Sequence, residues 1–101
     1  MNMIRRDILI RWIDGGRWAG PEDTERAEEA AIDVFSAAGL NDVAQLMAAE
    51  DAYRRALEDG EEPMGLGAIW ADALNAANGA AVQGWHDPNG GAVDIVVVRG
   101  R

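Results

Sequence analysis

The sequence predicts an α+β domain: one or two N-terminal strands, three helices and a C-terminal β-hairpin, with the helices packed on a small, mostly antiparallel sheet of about three strands. Three observations lead there. Residues 3–13 alternate apolar and polar side chains, residues 21–79 carry three successive apolar stripes at helical spacing, and the chain ends in a run of β-branched residues. A length of 101 residues makes this a single domain spanning 1–101, long enough for one modest core and too short for two.

In residues 3–13, Ile4, Ile8, Ile10 and Trp12 fall on one face and Arg5, Asp7, Leu9, Arg11 and Ile13 on the other, with Arg6 interrupting the apolar side. Apolar side chains on both faces near the end of this strand predict that each face is at least partly covered. Asp14-Gly15-Gly16 is a turn signal, and Arg17-Trp18-Ala19 reads as a short return strand before Gly20-Pro21.

The stretch 21–39 is the most legible part of the chain. Stepping 100° per residue places Ala27, Ala30, Ala31, Val34, Phe35 and Ala38 in one arc, with Glu22, Glu25, Glu29 and Asp33 opposite. Pro21 suits a first helical position, Glu22 and Asp23 suit the positive end of the helix dipole, and Gly39 suits a left-handed stop. A face made largely of alanine predicts close packing, expected here against the sheet.

Asn41 is placed to cap a second helix, with Asp42 in its first turn, running to about residue 59. Its apolar positions are Val43, Leu46, Met47, Ala49, Tyr53, Ala56 and Leu57, and Glu50 with Arg54 and Asp51 with Arg55 are spaced for i to i+4 ion pairs. Gly60 ends it, and Glu61-Glu62-Pro63 continues the acidity of Glu58 and Asp59. The third helix carries Leu66, Ile69, Trp70, Ala73, Leu74 and Ala77 as a core stripe, with Asp72, Asn75 and Asn78 facing away and Gly79 as its stop. Residues 81–85 then pair with residues 92–99 across the turn-forming stretch 86–91, giving the hairpin.

Charge is the strongest statement of the composition. Eighteen Asp and Glu stand against nine basic residues, all of them arginine, for a formal net charge of −9 at pH 7. That balance opposes direct contact with nucleic acid or an anionic membrane and favours a partner protein with a basic surface. Acidity also keeps small proteins dispersed without any further role. There is no cysteine, and no apolar run approaches the roughly 18 residues of a membrane span. The N-terminus has no signal-peptide pattern, so a cytoplasmic location is expected.

The catalytic inventory is thin: one serine (Ser36), one threonine (Thr24), one tyrosine (Tyr53), one histidine (His86) and no lysine. A Ser-His-Asp arrangement would require Ser36, on the acidic side of its helix, to meet His86 beside a turn. Paired-carboxylate hydrolysis needs two carboxyls in a cleft, whereas Glu22, Glu25, Glu29 and Asp33 line a convex helix. The oxygen-rich turns at 14–16 and 87–91 lack the ligand series of a calcium loop, and Gly65-Leu66-Gly67 lacks the rest of a phosphate-binding fingerprint. No cofactor, metal or enzymatic activity is therefore expected. Arg5, Arg6, Arg11 and Arg17 near Trp12 and Trp18 are the one basic and aromatic grouping, and they are expected to pair with the acidic helices or to form the counter-face of a dipolar domain.

Two functions fit. The first is a small non-enzymatic binding protein whose partner surface comprises Glu22, Glu25, Glu29, Asp33, Glu58, Asp59, Glu61, Glu62 and Trp18. Presented to a basic groove, these carboxylates would act as a nucleic-acid mimic, as in small phage inhibitors of host defence or nucleic-acid-binding complexes, an analogy of role only. The second is a structural or assembly subunit that docks through apolar surface such as Trp18 or a strand edge, its acidity serving solubility alone. The sequence leaves the oligomeric state open, a homodimer included.

Overall fold

The structure, a computed structural model, describes residues 8–13, 21–83 and 92–98. Its elements are strand β1 (Ile8–Ile13), helices α1 (Pro21–Ala37), α2 (Val43–Glu58) and α3 (Leu66–Gln83), and strand β2 (Ala92–Val97). The class is α+β, as the periodicities require. Among the described residues the sheet has two strands rather than three, with β1 antiparallel to β2 and Ile8 opposite Val97, Ile10 opposite Ile95 and Ile13 opposite Ala92. The first and last described elements thus pair with each other. The expected return strand at 17–19 lies outside the described residues.

Over its described residues the strand expected at 81–85 is helix, and this has a physical cause. Residues 81–83, expected to begin the hairpin, are the last turn of α3, and Gly79 is an interior helical residue rather than a stop. The apolar spacing of Trp70, Ala73 and Ala77 continues to Ala81, all four buried, so packing and a strong alanine propensity outweigh the roughly 1 kcal/mol cost of a mid-helix glycine. The outer edge of β2 is met instead by a side chain. Asn78 Oδ1 accepts from the Val93 N–H at 2.6 Å, while Asn78 Nδ2 donates to the Val93 carbonyl at 3.3 Å and to the Leu74 carbonyl at 2.9 Å. At Val93 this carboxamide occupies the place of a neighbouring strand's backbone. Asn78 therefore faces β2 and is part-buried, contrary to the outward position its helical spacing suggested.

Helix α3 is the centre of the fold. α1 and α2 both pack along it, β2 packs on it too, and α1 makes only a smaller contact with β1. The alanine face of α1 consequently rests mainly on another helix and not on the sheet. Ala27 and Ala31 of α1 and Ala73, Ala77 and Ala81 of α3 are buried, and the Phe35 and Trp70 rings lie 5.5 Å apart in a tilted arrangement. The buried arc of α1 is wider than its alanines and takes in Ile32, while Ala38 falls beyond the helix end and is exposed. Of the described side chains of α3 only Leu66, Asp72, Asn75 and Gly79 are exposed, so Leu66 is not a core residue.

Local signals set the ends. Gly39 has φ +82°, and the Leu40 N–H donates to the Phe35 carbonyl while Gly39 N–H donates to Ser36, a Schellman cap with Leu40 buried behind it. Asp42, not Asn41, caps α2: its carboxylate accepts from the Gln45 N–H at 2.8 Å, and Gln45 Oε1 accepts from the N–H groups of Asn41 and Asp42. The capping box depends on Gln45 lying three residues beyond the cap, and that spacing selects Asp42. On the sheet, Ile8, Ile10, Val93 and Ile95 are buried under the helices, whereas on the opposite face Leu9 is about half exposed while Asp94 and Val96 are half-buried, so the described part of that face is partly covered.

Candidate functional site

The predicted partner surface divides into two. Along α1, Glu25, Glu29 and Asp33 form an exposed stripe opposite buried Ala27, Ala31 and Phe35. Glu22 lies in the first turn of the same helix, its side chain outside the described residues, as is the whole of Trp18. At a rise of 1.5 Å per residue the stripe places carboxylate positions roughly 6 Å apart along the helix. The second group, Glu58, Asp59, Glu61 and Glu62, is exposed at the end of α2 and in the connection that follows. α1 and α2 meet α3 separately and share no interface of comparable size with each other, so the two groups are distinct surfaces.

Asp59, Glu61 and Glu62 of the second group, though not Glu58, border a concavity of about 410 Å³ lined also by Ala48, Asp51, Ala52, Arg55, Ala56 and Met64. Its shape follows from the chain path. Gly60, at φ +68°, closes α2 with a second Schellman cap, Glu61 N–H to Ala56 carbonyl at 2.8 Å and Gly60 N–H to Leu57 carbonyl at 3.2 Å. This turns the acidic connection back towards α2. Further on, Gly67 lies buried against the α2 backbone, where an added Cβ would stand 3.2 Å from Ala52 C and Tyr53 N. The space between helix and connection is thereby fixed on both sides. The apolar positions read along α2, Val43, Leu46, Met47, Ala49, Tyr53, Ala56 and Leu57, take in only Ala56 of the three alanines that line this hollow, so the periodicity did not disclose it.

Polar pairing accounts for the arginines among these elements. Arg54 pairs with Glu50 at 3.1 Å and Arg55 with Asp51 at 3.0 Å, both at the expected i to i+4 spacing. Arg54 also approaches Asp94 of β2 at 3.8 Å, and Arg11 of β1 binds the same carboxylate at 3.1 Å. Arg11, expected to pair with an acidic helix, is bound instead to a carboxylate of the adjacent strand. These are solvent-exposed pairs and hold surface elements together weakly.

Ser36 is exposed on α1, and His86 lies outside the described residues. Among the described residues no group of three or more carboxylate or histidine side chains is arranged to hold a metal ion, and no helix is long and apolar enough to cross a membrane. Exposed large apolar side chains include Met64, Leu57 and Leu66 near the α2 to α3 connection and Leu9 and Val98 on the sheet. No family model, curated protein or solved structure matches the chain, so the functional reading rests on its own residues.

Proposed function

We propose that this is a small non-enzymatic binding protein that presents the carboxylates of α1 to a basic groove on a partner protein, as a mimic of a nucleic-acid strand. The observation that carries the reading is the stripe Glu25, Glu29 and Asp33, exposed along one helix whose other side is anchored by Ala27, Ala31 and Phe35. Its rise of roughly 6 Å per step is comparable to the roughly 6.8 Å by which alternate phosphates of one strand advance along a duplex axis. Rigid presentation matters, because a helix packed over its length spends little further conformational entropy on binding. Inhibition of a nucleic-acid-binding complex is the biological form this reading takes, and a cytoplasmic protein is its setting.

The test is affinity capture from the native host by the wild-type chain and by the E25R/E29R/D33R variant, at low and at high salt. The reading expects a basic protein bound by wild type, released as salt rises, and not bound by the variant. A partner held equally by both chains removes it. A second reading, an assembly subunit docking through apolar surface, is favoured by exposed Met64 and Leu57, 79% and 55% accessible. It expects capture that is insensitive to salt and to charge reversal on α1.

A further inference from the structure

The hollow beside α2 combines three properties that no element of the core requires. Its floor is alanine, at 48, 52 and 56, leaving depth where larger side chains would fill it. Met64 stands at its wall 79% exposed, although a long apolar side chain there gains nothing from water. Its rim holds four carboxylates, Asp51, Asp59, Glu61 and Glu62, against one guanidinium, Arg55, which is already paired with Asp51. A volume of about 410 Å³ lies within the range of ligand-sized clefts, and one or two aliphatic side chains fit there.

We infer that this groove is a docking site for a peptide segment of a partner protein in which one long aliphatic side chain is flanked by arginine or lysine. The aliphatic group enters between Ala48, Ala52 and Ala56 and is covered by Met64, whose unbranched thioether adapts to different shapes. The flanking cations meet Asp59, Glu61 and Glu62. Electrostatic complementarity selects a basic segment over an acidic one, and the hollow selects an aliphatic anchor over a purely ionic contact. The Schellman cap at Gly60 and the close approach at Gly67 set the walls before binding, so ordering them adds little to its cost. The inference shares the acidic-surface logic of the proposed function but uses a different face, and it stands or falls separately from the α1 stripe.

The probes are three blocked pentapeptides, RRLRR, RRARR and EELEE, titrated into the uniformly ¹⁵N-labelled chain. The expected result is saturable shifts with RRLRR at the backbone amides of Ala48, Ala52, Ala56, Glu61, Glu62 and Met64. RRARR should bind at least roughly tenfold more weakly, since the anchor's methylenes are lost, and EELEE should not bind. Ala48→Leu fills the groove from an exposed helical position that tolerates leucine, and it should abolish the RRLRR shifts while the circular dichroism spectrum is kept. Met64→Ala should weaken RRLRR and leave RRARR unchanged. The variant E25R/E29R/D33R should retain RRLRR binding, whatever becomes of the α1 reading. Equal binding of RRLRR and RRARR, shifts spread along α1, or indifference to Ala48→Leu overturns the proposal. So does a concentration-dependent shift of the same amides without peptide, which would assign the groove to a second copy of the chain.

Discussion

Replacing Asn78 by alanine isolates the contact that stands in for a third strand. The substitution removes two hydrogen bonds to the Val93 backbone, including the 2.6 Å bond from its N–H, at a residue only 1% exposed. A buried N–H left without a partner costs about 1–3 kcal/mol, and the carbonyl adds roughly another 1. Alanine returns about 0.6 kcal/mol through its higher helix propensity. The net loss is about 1.5–3.5 kcal/mol, which for a domain of this size lowers the melting temperature by roughly 6–28 °C. Urea titration followed by far-ultraviolet circular dichroism measures it directly. A loss below about 0.5 kcal/mol would mean that another group serves Val93, and the account of the β2 edge would be wrong. Asn78→Asp sharpens the test. The carboxylate can still accept from Val93 N–H but turns its second oxygen towards the carbonyls of Leu74 and Val93. The protonated acid can donate there, so the folded chain raises the pKa of the new carboxyl above its unfolded value. The native state then holds more protons between those two values, and stability is greatest at acid pH and falls as pH rises through the window.

Two glycines of α3 should respond in opposite senses. Gly79→Ala, with nothing within 4 Å of the new Cβ, should stabilise the chain by up to about 1 kcal/mol, whereas Gly67→Ala should destabilise it by about 1–3 because its Cβ meets α2 backbone; thermal melts of both variants decide. Asp42→Ala should cost about 1 kcal/mol in urea titrations through loss of the capping box, and Asn41→Ala much less.

Where the sequence carried a local signal, the structure follows it. The ends of α1, the i to i+4 pairs of α2 and the burial of Trp70 all come from spacing or turn chemistry visible within a few residues, whereas the pairing of β1 with β2 joins distant segments and follows only from the need of two apolar strands for a common sheet. What escaped depends on tertiary surroundings. Gly79 carries the same side chain as Gly39, yet one is a left-handed stop and the other an interior residue. The difference is that Leu40 follows the first and closes over the helix end, while Ala81, two residues beyond the second, extends a buried stripe. Asn78 was misplaced because α3 is covered on several sides, so a position opposite its apolar stripe need not meet water. The acidic residues were legible as exposed. Their division into two surfaces was not, since it depends on α1 and α2 packing separately on α3.

That division bears on what the acidity does. The two acidic groups lie on different kinds of ground. The α1 stripe covers a convex helix and offers a row of charges with no apolar contact between them. The α2 group edges a hollow with a small-residue floor and an exposed methionine. A purely ionic partner gains as much from the first as the second, but only a partner with an apolar side chain gains from the hollow. Salt dependence therefore separates the two surfaces: contacts on α1 should weaken steeply as ions screen them, whereas those beside α2 should retain the part contributed by burial.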